Sequence, residues 1–235
     1  MKSYSANFYR AQVMASAKSA AHTVPELLKW ISPRSVVDIG CGTGTWLREF
    51  QNCGVRDVLG IDGDYVDRGL LAIDPAHFRP QDLTQRMTMG RRFDVAVSLE
   101  VAEHLPTERG SSFVEDLCLL APLVLFSAAI PGQGGTNHVN EQWQSYWAAL
   151  FDQRGYQAMD VLRQPLWHDP EVEFWYSQNM ILYASEDALK ANAALAAKGR
   201  GKLLDIVHPR LFAATSNRRP SASWLTQKLF RLAPM

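Results

Sequence analysis

The chain has 235 residues, of which 47% are hydrophobic. It is long enough for one sizeable core and too short for two ordinary domains with linkers. Its formal net charge is zero, but eight Lys or Arg residues stand against Asp205 alone from Lys198 onward, so the rest of the chain is acidic. An acidic body argues against a broad nucleic-acid-binding surface, and no apolar run approaches the ~20 residues that a membrane-spanning helix needs.

The three cysteines, Cys41, Cys53 and Cys118, are an odd number without a pairing pattern. The N-terminus also lacks the pattern of a signal peptide. We therefore expect a cytoplasmic protein, because thiols stay reduced in that compartment.

The first segment, residues 3–31, carries Ala, Met, Leu and aromatic residues at helical spacing. Because a proline disfavours helix at the residue before it, two helical pieces are predicted, with a break before Pro25. We treat residues 1–34 as one N-terminal helical unit. This unit either packs as ordinary helices or forms a lid over a pocket.

A short buried strand is followed by a glycine-rich turn in the stretch Val-Val-Asp-Ile-Gly-Cys-Gly-Thr-Gly at residues 36–44. Glycines at alternate positions let the backbone turn sharply and approach a ligand without interference from a Cβ atom. Thr45 stands where the dinucleotide fingerprint G-x-G-x-x-G has its third glycine, which argues against a nicotinamide cofactor. An amphipathic helix over residues 45–52 and a strand over residues 57–62 are predicted next. This strand ends in Asp62, whose carboxylate can accept hydrogen bonds from both hydroxyls of a ribose.

In the glycine turn and in the Leu-Gly-Ile-Asp stretch that ends at Asp62, the sequence resembles the class I S-adenosylmethionine-dependent methyltransferases. The resemblance covers residues 35–185, and we place the cofactor-binding domain at residues 35–198. It implies an α/β, Rossmann-like, doubly wound sheet of seven mostly parallel strands, with an antiparallel C-terminal hairpin and N-terminal lid helices. It also implies S-adenosylmethionine as the cofactor. The cofactor-binding residues expected on this basis are Asp38, Gly40, Cys41, Gly42, Gly44, Thr45, Trp46, Asp62, Gly63, Asp82, Leu83 and Glu100.

Two of these residues have an equally plain structural interpretation. In related enzymes an acid followed by Leu or Val after the third strand lies beside the adenine, which would be the role of Asp82. An aspartate in such a place also often caps a turn. Cys41 occupies a position in the turn that needs a small residue, so we expect it to pack rather than to react.

The remaining pattern alternates strands and helices, as a doubly wound sheet requires. The further expected strands are residues 77–79, 93–99, 123–129, 156–162 and 180–184. The further expected helices are residues 64–71, 109–120, 141–154 and 186–197. A glycine-rich loop over residues 130–138 is long enough to suggest a function.

Titratable side chains are concentrated where two of these strands end. Glu100, Glu103 and His104 have the spacing E-x-x-E-H directly after the strand at 93–99, so one helical turn would gather them on one side. His138 follows the neighbouring parallel strand. Two carboxylates and two imidazoles are suitable ligands for a divalent cation such as Mg²⁺, Mn²⁺ or Zn²⁺.

This cluster is similar to the one in metal-dependent small-RNA 2′-O-methyltransferases and in ubiquinone-biosynthesis O-methyltransferases. The former also have a histidine shortly before a Trp-containing helix, as His138 precedes Trp143 here. Three roles remain open at this stage. The four residues hold a metal, or His104 or His138 acts as a general base with Glu100 nearby, or the cluster is structural.

The chain also resembles, through Ser185, a group of bacterial methyltransferases often associated with surface-glycan or natural-product pathways. We therefore expect an O-methyltransferase that acts on a hydroxyl of a small molecule, either a sugar or a secondary metabolite. The alternatives are an RNA 2′-O-methyltransferase and a non-catalytic S-adenosylmethionine-binding partner subunit. Candidate walls of the acceptor pocket are Trp143, Trp147, Trp167, Trp175 and Tyr176.

Residues 199–235 form a basic tail with a short amphipathic pattern around Trp224 and Phe230. We expect the tail to dock on the body or to be partly disordered. A homodimer contact and a peripheral contact with an anionic membrane are the alternatives.

Overall fold

The computed structural model describes residues 6–198 and 204–216, with side chains from Val13 onward. The pattern around Trp224 and Phe230 lies outside these residues, so the roles suggested for the tail stay predictions. Within the described part, one sheet of seven strands has the order β3-β2-β1-β4-β5-β7-β6. The strands are β1 (Ser35–Ile39), β2 (Asp57–Asp62), β3 (Phe78–Pro80), β4 (Val95–Leu99), β5 (Leu123–Ser127), β6 (Tyr156–Met159) and β7 (Ile181–Ser185).

Nine α-helices lie in the described residues. They are α1 (Ala6–Leu28), α2 (Thr45–Asn52), α3 (Gly110–Leu120), α4 (Gln144–Asp152), α5 (Arg163–Leu166), α6 (Phe174–Asn179), α7 (Glu186–Ala191), α8 (Ala193–Ala197) and α9 (Pro209–Ser216). Short 3₁₀ turns occupy Arg68–Leu70, Pro75–His77, Ala102–His104 and Thr107–Arg109. None of these helices is both long and apolar enough to cross a membrane.

Strands β1 to β5 pair in parallel, whereas β7 runs antiparallel to both β5 and β6. The expected doubly wound sheet with an antiparallel C-terminal hairpin is therefore confirmed. Strand order reverses between β1 and β4, which is the place where an open α/β sheet has a crevice at the carboxyl ends of its strands.

The sheet is covered on both faces because its strands are apolar on both sides. Val36 faces a core formed with α1 and α2, and its neighbour Val37 faces the second core, formed with α3 and α4. All five residues of β4 are buried, as expected for a strand in the middle of a parallel sheet. This packing holds the carboxyl ends of β1 and β4 side by side.

The predicted break before Pro25 is wrong, because α1 continues as one helix through Pro25 to Leu28. A proline in a helix interior costs about 3 kcal/mol through its missing N–H and a steric clash. Ala20, Val24 and Leu27, on one side of this helix, are fully buried in a core that also contains side chains of α2. Their tertiary packing offsets the local cost.

Candidate functional site

The glycine turn after β1 forms the floor of the site. Gly40, Gly42 and Gly44 have φ angles of 83°, 53° and 77°, which L-residues with a side chain rarely adopt. A Cβ atom at Gly40 would lie 2.3 Å from Cγ2 of Val101, so this position is closed by packing. A Cβ atom at Gly42 would have no atom within 4 Å, so the backbone there faces open space.

That open space is a cavity of about 480 Å³ between the glycine turn, the end of β4, the loop after β5 and α6. Among the residues predicted from the sequence to bind the cofactor or a metal, ten line it: Asp38, Gly40, Cys41, Gly42, Thr45, Trp46, Glu100, Glu103, His104 and His138. Five do not line it: Gly44, Asp62, Gly63, Asp82 and Leu83. The N-terminal helix α1 contributes Val13 and Ser16 to the wall, and no Lys or Arg of the described residues lines the cavity.

Asp38 supplies a buried carboxyl group beside the open glycine. Its side chain is 3% exposed, and Oδ2 has no hydrogen-bond partner among the described residues. Burial raises the pKa of Asp38 well above its usual value, and the nearby Asp62 carboxylate adds to the shift. A buried carboxylate oxygen without a partner suits a cationic ligand. The ammonium and sulfonium groups of S-adenosylmethionine fit that requirement.

Asp62 lies at the expected place, at the end of β2, but its carboxylate is already engaged. Oδ2 accepts the backbone N–H of Gly42 at 2.7 Å, and Oδ1 accepts the N–H of Gly63 at 2.6 Å and the hydroxyl of Tyr65 at 2.6 Å. The carboxylate thus fixes the glycine turn. The ring of Tyr65 lies against Gly63. Its hydroxyl uses one acceptor position of the Asp62 carboxylate that a ribose hydroxyl would need.

Asp82 adopts the turn-capping arrangement that we considered as its alternative role. Its Oδ1 accepts hydrogen bonds from the backbone N–H of Thr84 at 2.9 Å and from the Thr84 hydroxyl at 2.7 Å. These hydrogen bonds lower the pKa of Asp82. Leu83 is buried, and its carbonyl accepts a hydrogen bond from Arg109. The role of Asp82 and Leu83 beside an adenine stays a prediction.

Cys41 packs as expected. It is 6% exposed, and a Cβ atom on Gly60 of β2 would lie 2.7 Å from its sulfur. Burial raises the pKa of the thiol strongly, and the carboxylates of Asp38 and Asp62 raise it further. A thiol held neutral in this way is a poor nucleophile.

Three of the four residues predicted to hold a metal come together in the lining of the cavity. One ligand atom from each of Glu103, His104 and His138 lies within 4.8 Å of the others. The two imidazole rings meet edge to face, with centroids 4.8 Å apart. Two nitrogens and a carboxylate oxygen suit Zn²⁺ or Mn²⁺, so these residues fit a divalent cation.

Glu103 is the buried acid of this cluster. Its side chain is fully buried, and neither carboxylate oxygen has a hydrogen-bond partner among the described residues. Burial raises its pKa well above the usual value, and the Glu100 carboxylate adds to the shift. The backbone N–H groups of Glu103 and Ala129 lie close enough to offset a part of it. Partial burial and the nearby His138 lower the pKa of His104.

Glu100 lies apart from this group of three. Its backbone has a φ of 55°, and only Ala102–His104 form a 3₁₀ turn, so the prediction that one helical turn gathers all three E-x-x-E-H side chains is wrong. The Glu100 carboxylate instead accepts hydrogen bonds from Gln133 at 2.9 Å and Asn179 at 3.2 Å. Burial raises its pKa, although these hydrogen bonds oppose the shift.

Two polar residues of the site, Gln133 and Asn179, were missed from the sequence, and both donate hydrogen bonds to Glu100. Glu141 was expected either in the first turn of a helix or as a second carboxylate near the acceptor, and it lies 2.9 Å from Nδ1 of His138. The glycines of residues 130–138 predicted a functional loop, but nothing in the sequence distinguished Gln133 from its neighbours. Nothing local distinguished Asn179, because its partner lies 79 positions away.

The aromatic walls were predicted only in part. Trp175 and Tyr176 line the cavity, together with Phe174 of the same helix. Trp147 is buried in the core on the other face of the sheet. Trp143 and Trp167 do not line the cavity.

Comparisons with known proteins find similarity to methyltransferases. A family model described as a methyltransferase domain matches residues 9–110. The ubiquinone biosynthesis O-methyltransferase of Methylobacterium sp. (strain 4-46) is 33% identical over 102 residues, which cover 40% of each protein. The chain thus spans about 40% of the length of this curated relative.

Solved structures share the fold at low identity. The magnesium protoporphyrin IX methyltransferase of Synechocystis PCC 6803 with bound SAM matches with a TM-score of 0.53 and 19% identity, over 76% of this chain and 82% of that chain. DesVI of Streptomyces venezuelae matches with a TM-score of 0.55 and 12% identity, over 79% of this chain and all of the other. Residues 9–110 therefore match the model of a methyltransferase domain, and the seven-stranded sheet is the fold of solved methyltransferase structures such as the one with bound SAM.

Proposed function

We propose that the protein transfers a methyl group from S-adenosylmethionine to a hydroxyl oxygen of a small molecule. One observation carries the proposal: the same cavity holds the open backbone at Gly42 and the cluster of Glu103, His104 and His138. A donor placed at one end and an acceptor oxygen held at the other would lie in one enclosed space. Positioning two reactants in this way converts a bimolecular reaction into an effectively unimolecular one.

The donor end is defined by the glycine turn and Asp38. When bound, S-adenosylmethionine supplies a methyl group on a positively charged sulfur. The unpartnered Oδ2 of Asp38 would attract the positive part of this ligand, and the exposed backbone at Gly42 would let it approach closely. Trp46 and Tyr176, with ring centroids 5.1 Å apart, form an apolar wall that excludes water beside it.

The acceptor end is defined by the cluster. An alcohol is a poor nucleophile at neutral pH, and a divalent cation held by Glu103, His104 and His138 would lower the pKa of a bound hydroxyl. The same residues without a cation would offer an imidazole nitrogen as a general base. With a cation, His138 would be one of its ligands and Glu103 would supply a compensating negative charge. Without a cation, the His138 imidazole would take the acceptor proton.

The walls of the cavity favour a small molecule over RNA. A protein that binds a nucleic-acid backbone uses Lys and Arg to neutralise phosphates, and none lines this cavity within the described residues. The aromatic side chains of Phe174 and Trp175 instead offer flat apolar surfaces. A sugar or an aromatic secondary metabolite presents the matching surface. We also propose a cytoplasmic location, which the free thiols of Cys41, Cys53 and Cys118 support.

A non-catalytic cofactor-binding subunit is the weaker alternative. Such a protein would have its acceptor space blocked by side chains, whereas here the cavity extends continuously from the glycine turn to His138. The cluster of Glu103, His104 and His138 would also have no role in such a protein. A domain that only binds a cofactor is expected to have neither the open acceptor space nor this cluster.

Calorimetric titration with S-adenosylhomocysteine tests the donor site, and we expect micromolar binding with or without EDTA. Methyl transfer measured with and without EDTA tests the metal. Incubation with S-adenosylmethionine and a panel of phenols, sugars and RNA oligonucleotides, followed by mass spectrometry, then identifies the acceptor by its gain of one methyl group. Methylation of RNA alone would contradict the small-molecule proposal, and activity unchanged by EDTA would remove the metal from it.

A further inference from the structure

Glu141 lies three residues after His138, in the connection that leads into α4. Its sequence position suggested the first turn of a helix, but α4 begins only at Gln144. The side chain turns back toward the loop at residues 130–138 instead. There its carboxylate accepts three hydrogen bonds, two from backbone N–H groups and one from an imidazole.

These three hydrogen bonds join the loop to the imidazole. Oε2 of Glu141 accepts the N–H of Gly132 at 2.8 Å, and Oε1 accepts the N–H of Gly134 at 2.9 Å and Nδ1 of His138 at 2.9 Å. Gly132, Gly134 and Asn137 all have positive φ angles, so the loop curls around the carboxylate. One side chain therefore fixes both the loop and the ring that the loop carries.

An ionised carboxylate only accepts hydrogen bonds, so the nitrogen of His138 that faces Glu141 must carry a proton. The other nitrogen, Nε2, is then left with a free lone pair in the neutral ring. Nε2 lies over Gly135, where a Cβ atom would be only 2.1 Å away. Since Nδ1 is taken by Glu141, Nε2 is the atom of this ring that can serve the cluster with Glu103 and His104.

We propose that Glu141 is a positioning residue, which holds His138 as the Nδ1–H tautomer and directs Nε2 at the reacting oxygen or at a bound cation. Hydrogen bonding of one ring nitrogen to a carboxylate is the general means by which proteins fix which imidazole nitrogen is free to act. The use of Nε2 in methyl transfer rests on the proposed function. The tautomer depends only on the hydrogen bond between His138 and Glu141.

The test is ¹⁵N-edited NMR of the histidine side chains in metal-free protein at about pH 8. The signals of His138 are assigned by their loss in His138→Gln. In the wild type we expect the Nδ1–H tautomer of His138, and in Glu141→Gln we expect a mixture of tautomers, because an amide both donates and accepts hydrogen bonds. The matched control is Glu108→Gln, an exposed glutamate outside the cavity, which should leave the spectrum unchanged.

A second readout is binding of Mn²⁺ by calorimetry. Loss of a hydrogen-bond partner of a metal-ligating histidine typically lowers metal affinity about 10- to 100-fold. We expect a loss of that size in Glu141→Gln and affinity for S-adenosylhomocysteine within about twofold of the wild type. The Nε2–H tautomer in the wild-type protein would overturn the inference, as would an unchanged tautomer in folded Glu141→Gln. If that variant does not fold, the wild-type spectrum decides alone.

Discussion

Gly135 is the residue whose missing side chain leaves room for the His138 imidazole. Its φ lies outside the left-handed region, so alanine is compatible with the backbone there. The added Cβ atom, however, would lie 2.1 Å from Nε2 and 2.3 Å from Cε1 of the ring. The ring, as the movable end of a side chain, would have to turn away from Glu103 and His104.

We therefore expect Gly135→Ala to weaken Mn²⁺ binding by about tenfold or more, with unchanged affinity for S-adenosylhomocysteine. Calorimetric titration with both ligands measures this. Gly90→Ala is the matched control, because a Cβ atom at Gly90 would have no neighbour within 4 Å. Equal loss of both affinities in Gly135→Ala would indicate a general disturbance of the loop and contradict the specific role of this glycine.

Burial of the charged form of Glu103 lowers the free energy of unfolding. Because its pKa is raised in the folded state, the fold favours the protonated form. The stability that protonation contributes is fully present below the unfolded pKa of about 4.3 and is lost as pH rises through the folded pKa. A glutamine resembles the protonated acid at every pH.

Glu103→Gln should therefore raise the melting temperature at about pH 8 in the presence of EDTA, by about 2–8 °C for a gain of about 1–2 kcal/mol. The gain should shrink as pH falls toward about 4, and Mn²⁺ binding should be lost. Calorimetric scans across this pH range check the prediction, with Glu108→Gln as the exposed control. A variant that is less stable than the wild type at every pH would show that the buried charge is compensated.

Tyr65 competes with a ribose for the carboxylate of Asp62. Its hydroxyl donates a hydrogen bond of 2.6 Å to Oδ1, and this bond must break if the ribose is to use that oxygen. A hydrogen bond of this kind contributes a net free energy of about 0.5–1.5 kcal/mol. Because Tyr65→Phe has no such bond to break, it should tighten S-adenosylhomocysteine binding about 2- to 10-fold. Calorimetry measures the change, with Tyr146→Phe on α4 as control. Weaker binding in Tyr65→Phe would mean that the hydroxyl contacts the cofactor instead.

At the scale of elements, helix α4 is capped from a distant part of the chain. Trp143 precedes this helix and provides no side-chain cap. Asp205 instead accepts the backbone N–H of Ser145 at 2.8 Å and its hydroxyl at 2.7 Å. A carboxylate at this end of a helix also interacts favourably with the helix dipole. The connection after β5, which carries His138 and Glu141, leads directly into this capped end.

Asp205→Ala should lower the free energy of unfolding by about 0.5–2 kcal/mol, the usual effect of losing an N-terminal cap. Urea unfolding measures it, and affinity for S-adenosylhomocysteine should not change. Asp152→Ala, at the other end of the same helix, is the matched control and should cost less. Equal costs for the two variants would mean that Asp205 does not act as a cap.

The elements that the sequence predicted best are those with local causes. The predicted bounds of α2 and β2 agree with the structure because a glycine turn, an amphipathic helix and a buried strand follow one another within 27 residues of the chain. Helix α1 was predicted with a false break because burial of Val24 and Leu27 overrides the local effect of Pro25. Helix α4 was predicted three residues too long at its start because Glu141 turns back to the loop.

At the scale of the whole molecule, topology explains which parts of the site could be predicted. Parallel neighbours β4 and β5 end at the same edge of the sheet, so the meeting of His104 and His138 followed from the strand order. The position of the Glu100 carboxylate could not be predicted from the strand order. It is set by hydrogen bonds from Gln133, in a loop, and Asn179, in a helix, and both residues are distant in sequence. Likewise, the contact of Tyr65 with Asp62 depends on a turn that has no regular pattern.

A crystal structure with S-adenosylhomocysteine and Mn²⁺, with data collected at the manganese absorption edge, would locate both proposed binding sites at once. We expect the homocysteine part of the ligand beside Gly42 and Asp38, and an anomalous peak within bonding distance of Glu103, His104 and Nε2 of His138. A ligand bound elsewhere, or a cavity closed by side chains in the complex, would show that the proposed sites are wrong.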